Sequence, residues 1–124
     1  MSHIVVIHTK VKDAAAVRAA CERLSLPAPV QGTAKLFDGE VTGLAVQLPG
    51  WVYPVVADLA RGNLHYDNFG GKWGSDDRLQ KFLQSYAVER THIEARKKGH
   101  LCTEQTLADG SIKLTIQVTT RGAA

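Results

Sequence analysis

The chain has little sulfur, few aromatics and no long apolar run, and each shortage removes a class of protein. Its 124 residues include two cysteines, Cys21 and Cys102, which fall in different predicted elements. They form no CxxC pair, so the sequence predicts two reduced, partly buried thiols rather than a disulfide or a metal clip. No apolar run exceeds four residues, as in Ile4-Val5-Val6-Ile7. Neither a membrane-spanning helix nor a signal-peptide core is therefore expected. Aromatic residues make up 6% of the chain, yet Tyr66, Phe69 and Trp73 crowd together around a run of glycines.

What is present is an ordinary globular composition, 44% apolar and 22% charged. The length suits one domain, residues 1–124, burying roughly two-thirds of its unfolded surface. Residues 121–124 are expected to fray. The net charge of +3 is unevenly spread. Residues 1–37 carry five Lys/Arg against two acids, residues 38–77 two against six, and residues 78–124 eight against four. The aromatics thus lie in the acidic third, whereas a nucleic-acid site interleaves its stacking rings with Arg and Lys. That argues against nucleic acid as a partner.

Ile4 to Val11 reads as a strand, and apolar residues on both of its faces predict a central position. Asp13 caps a helix running to about Leu24, whose buried stripe is Val17, Ala20, Cys21 and Leu24. Pro27 and Pro29 stop it. Lys35 to Phe37 and Gly43 to Leu48 form short strands around Asp38-Gly39. Val52 to Leu59 and Asn63 to Phe69 form a hairpin across Ala60-Arg61-Gly62.

Beyond it the hydrophobic period changes from two to 3.6, marking a strand that enters a helix through a glycine-rich elbow. Ser75 or Asp76 caps that helix, Leu79, Phe82, Leu83, Tyr86 and Ile93 form its stripe, and Gly99 ends it. A last hairpin, Leu101 to Leu107 and Ile112 to Thr119, turns at Asp109-Gly110 with Ile112, Leu114, Ile116 and Val118 facing inward. The order is β-α-β-β-β-β-α-β-β. The fold class is α+β, an antiparallel sheet with two helices packed on one face.

The opening Met1-Ser2-His3-Ile4, with Ile7, Thr9 and Val11-Lys12, resembles a conserved hypothetical chloroplast reading-frame family, number 35, and its bacterial relatives. Tyr66-Asp67-Asn68, Gly71-Lys72-Trp73-Gly74 and Phe82-Leu83-Gln84-Ser85-Tyr86-Ala87 are similar to its bacterial members. Ile4 stands where that family usually has Phe after Ser-His. The family is a domain of unknown function, so the resemblance implies a small cytosolic or stromal-type protein and supplies no catalytic residue.

Several constellations invite chemistry. Gly70-Gly71-Lys72-Trp73-Gly74-Ser75 before a helix suggests a phosphate loop, but the spacing is not GxxxxGK[ST] and Asp76 and Asp77 occupy the first turn. A chain-reversal elbow is the better reading. His65 and Asp67, two apart on a strand, can act as an acid–base pair or as two metal ligands, with no third ligand nearby. Glu89-x-x-His92 is half of a carboxylate-bridged di-iron pattern without its second half. His100 and Cys102 share a strand face, and Ser2-His3 offers an amine, a backbone nitrogen and an imidazole that can chelate Cu(II) or Ni(II), against the plainer reading that His3 begins the first strand. For each of these, a solvated or structural role is preferred.

The expected function is that of a small, soluble, cytoplasmic, non-catalytic module that binds another protein or a second copy of itself. The alternative is a small-ligand or nucleotide-binding domain using the elbow, residues 66–76. The candidate binding residues are Tyr66, Asp67, Phe69, Lys72 and Trp73; no catalytic residue, metal or cofactor is expected.

Overall fold

The computed structural model describes residues 3–118. Its elements follow the expected order: β1 (Val5–His8), α1 (Ala14–Arg23), β2 (Val30–Leu36), β3 (Gly39–Val46), β4 (Val55–Asp58), β5 (Asn63–Tyr66), α2 (Asp76–Lys97), β6 (Leu101–Thr106) and β7 (Ile112–Gln117). The first five strands make one antiparallel sheet in the order β1-β5-β4-β3-β2, and β6-β7 form a separate two-stranded ladder. The expected fraying at residues 121–124 concerns residues outside those described.

The caps read from the sequence are in place. Asp13 accepts hydrogen bonds from the amides of Ala15 and Ala16, and Ser75 Oγ accepts one from Asp77. Each satisfies amides that the first helical turn cannot. Register places Ile7, Leu64, Ala57 and Leu44 in one row across the sheet. This row packs against Val17, Ala20 and Cys21 of α1 and Leu79, Phe82 and Tyr86 of α2, forming the main core. The Tyr86 hydroxyl accepts hydrogen bonds from the amides of Lys12 and Asp13, both at 3.1 Å, pinning the start of α1 to α2.

The expectation of a central β1 is corrected, because β1 is an edge strand paired only with β5. The reason lies in how the sheet's second face is covered. Val6, Val56, Ala45, Val30, Ala34, Val41 and Leu36 lie on the side away from the helices. Leu36 and Val56 are fully buried there, outside the main core. At Gly32, opposite Gly43, the β2–β3 hairpin bends; Gly43 sits too close to the Ala57 carbonyl to admit a Cβ. The hairpin tip then folds back, bringing Gly39 to where a Cβ would lie 3.6 Å from Ile4 Cδ1. The tip shelters the Ile4 end of this face, whereas Val6 is 44% exposed, so β1 carries apolar residues on both faces although its edge and most of one face stay open.

The C-terminal hairpin also departs from expectation. Ile112 and Leu114 are half-buried, but Ile116 and Val118 are 45% and 62% exposed. The hairpin leans on α2 rather than extending the sheet, so its cover is partial: Cys102, Ile112 and Leu114 are half-buried while Ile116, paired with Cys102, stays open. A charged network fastens it. Arg23 donates to both Glu89 and Glu104, at 2.9 and 2.7 Å, and His92 Nε2 lies 2.7 Å from Glu104.

Candidate functional site

The elbow between β5 and α2 is built by short-range hydrogen bonds. Asp67 Oδ1 accepts from the Phe69 amide at 3.1 Å, an Asx turn that ends the strand. The Asn68 carbonyl then accepts from Gly71 at 3.0 Å and from Trp73 at 2.9 Å. Phe69, Gly70 and Gly71 all adopt positive φ, at 47, 62 and 97°. Glycine takes this conformation freely, whereas Phe69 holds it at a cost of about 1–3 kcal/mol.

The buried Asn68 amide ties the two ends of the elbow together. Its Nδ2 donates to the Gly74 carbonyl at 3.0 Å and to Asp76 Oδ1 at 2.8 Å. On the inner side Trp51 closes against Gly74, and its Nε1 donates to the Ser75 carbonyl at 3.1 Å. On the outer side the Val52 amide donates to the Trp73 carbonyl at 2.8 Å.

Three segments meet on the outer side as an aromatic platform. Trp73 has Phe69 at 4.8 Å, Phe37 at 5.2 Å and Tyr53 at 5.7 Å between ring centroids. All three spacings lie in the range where tilted and edge contacts are favourable. Phe37, at the tip of the β2–β3 hairpin, is 59% exposed, as is neighbouring Val52. The Lys72 ammonium stands over the Phe69 ring, 4.9 Å from its centroid, a cation–π arrangement.

The five residues singled out from the sequence therefore divide. Phe69, Lys72 and Trp73 join the platform, and Phe69 is half-buried. Tyr66 turns inward, edge-on to Trp51 at 5.7 Å. Its phenol is pushed above the ordinary range, first by burial and then by the charge of Asp76. Asp67 is only 1% exposed and serves the turn; among the described residues its Oδ2 has no hydrogen-bond partner. Phe37 and Tyr53 escaped the sequence reading because they lie far from the elbow in the chain. The available signal was an aromatic placed directly before the Asp38-Gly39 turn, where loops rarely keep one unless something covers it.

The other constellations separate in space or enter structural roles. Strand β5 ends at Tyr66, so the two-residue spacing of His65 and Asp67 does not place both on one strand face. Among the described residues no group of three or more His, Cys, Asp or Glu is arranged to hold a metal ion. Glu89 and His92 belong to the network that fastens the hairpin. Cys21 and Cys102 are free, and burial pushes the Cys21 thiol up, away from the reactive thiolate. Ser2 of the terminal chelate lies outside the described residues. The N-terminus of α2 is occupied by the Ser75 cap with Asp76 and Asp77 in the first turn, which disfavours a phosphate there. No helix among the described residues is long and apolar enough to cross a membrane.

Comparison of the chain with models of known families, with curated proteins and with solved structures finds no match.

Proposed function

We infer that this protein is a non-catalytic module that binds another protein, or a second copy of itself, through the aromatic platform around Trp73. One observation carries the reading: a 59%-exposed Phe37 leans on Trp73, whose ring also meets Tyr53 and Phe69 from two further segments. Rings fixed in advance lose little conformational freedom on association, which is why aromatic anchors dominate many interfaces. The Lys72 ammonium and the acids of the neighbouring turn, Asp38 and Glu40, supply a polar rim. Free cysteines support a reducing, cytoplasmic setting.

The test places a photo-crosslinking phenylalanine analogue at position 37 and, as a control, at the exposed Gln105 on the opposite hairpin. A discrete adduct from position 37 alone supports the reading, and its mass separates a self-dimer from a foreign partner. Equal, diffuse labelling from both positions contradicts it.

A further inference from the structure

The outer face of α2 carries a groove distinct from the elbow. Two open hollows of ≈ 510 and ≈ 380 Å³ run along it. The first lies between α2 and the loop after β1, lined by Thr9, Lys10, Leu83 and Ala87. The second lies between α2 and β7, lined by Glu94, Lys98, Ile116 and Val118. They meet at Arg90 and Thr91, which line both. From Leu83 to Lys98 the groove follows the helix for ~22 Å at the usual rise per residue.

Its chemistry has two parts. The walls expose apolar surface, with Ile116 and Val118 45% and 62% open to solvent, while small Ala87 and Thr91 form a shallow floor. The rim is basic. Glu94 is the acid lining the second hollow, and Arg90 already holds it at 3.0 Å. Among the described residues Lys10 and Lys98 form no ion pair. Arg96 and Lys97 add further positive charge at the same helix end.

We propose that this groove docks an acidic amphipathic helix of a partner protein. An apolar stripe along such a helix covers Leu83, Ala87, Ile116 and Val118, and glutamates or aspartates on its flanks meet Lys10 and Lys98. Small residues on α2 let the two helices approach closely, ridge into groove. The combination favours protein over nucleic acid. A single-stranded nucleic acid needs exposed rings to stack on, and the one aromatic lining the groove, Tyr86, is buried and has its hydroxyl committed to Lys12 and Asp13. This site is independent of the platform, so one molecule can hold two partners.

The test uses a fluorescently labelled amphipathic peptide with leucines at i, i+3, i+4 and i+7 and glutamates on both flanks. Its controls are the same peptide with lysines for glutamates, and a single-stranded oligonucleotide. Wild-type protein should bind the acidic peptide in preference to both, and more weakly as salt is raised. The double variant Lys10→Gln/Lys98→Gln, with circular dichroism confirming its fold, should lose about tenfold or more in affinity. Trp73→Ala should bind the peptide as wild type does. Failure of the acidic peptide to bind, equal binding of the basic peptide, tighter binding of the oligonucleotide, or full affinity in the double variant would each overturn the proposal.

Discussion

Trp51 closes against the backbone of Gly74 so tightly that a Cβ at position 74 would fall inside the indole. The same indole donates its N–H to the Ser75 carbonyl. Glycine is therefore required at position 74 for lack of a side chain, whereas Gly70 is required for its φ of 62° with open space around it.

Replacing these two glycines by alanine should separate the two requirements. Gly74→Ala forces the Trp51 ring or the elbow to move, and should cost about 1–3 kcal/mol. Gly70→Ala meets no neighbour and bears only the penalty of a side chain at positive φ, about 1–2 kcal/mol. Urea unfolding measures both, and the first loss should be the larger.

Asn68→Ala should loosen the elbow without touching the platform directly. It removes the donor to the Gly74 carbonyl and to Asp76. A buried amide donor of this kind is worth about 1–3 kcal/mol when its partners are left unpaired. The near-ultraviolet circular dichroism of the tryptophans should weaken while the far-ultraviolet helix signal persists.

The hairpin clamp predicts an acid-sensitive fold. Hydrogen bonds from Arg23, then from His92, hold the Glu104 carboxyl down to about 2 from an ordinary 4.5. A value depressed by folding means that the charged form favours the fold. This contribution is fully present above the ordinary glutamate range and is lost as the pH falls through about 2. Glu104→Gln should therefore lower stability at about pH 6 and narrow the gap to wild type at about pH 3. A constant gap across that span would show that the ionised carboxylate is not what fastens the hairpin.

Much of this architecture is legible in the residues themselves, where local signals agree. Asp13 and Ser75 cap helices whose apolar residues recur at helical spacing, and Asp109-Gly110 turns a strand pair that alternates. The outer half of β2 is less legible, because Gln31-Gly32-Thr33-Ala34 has neither a strong apolar face nor β-branched density. Its ordering comes from the fold-back at Gly32 and Gly43, a tertiary event that leaves almost no local trace. The edge position of β1 leaves as little trace, since Ile4 and Val6 make its second face apolar although the hairpin tip reaches only Ile4 and Val6 stays 44% exposed. The elbow announced Phe69 and Trp73, but Phe37 and Tyr53 reach them only through folding. Sequence spacing also suggested that Tyr66 and Asp67 shared their surface, whereas both turn inward.

The central claim is that Phe37 stands on Trp73 as an anchor for a partner rather than as support for the fold. Phe37→Ala tests it directly, through a thermal melt and a capture assay using the partner or self-dimer identified by crosslinking at position 37. Because the ring is 59% exposed, the melting temperature should stay within about 4–8 °C of wild type, the shift expected for about 1 kcal/mol in a domain near this size. Capture should fall by at least about tenfold, as it does when a hot-spot aromatic is removed. Undiminished capture by a variant that melts like wild type would contradict the account.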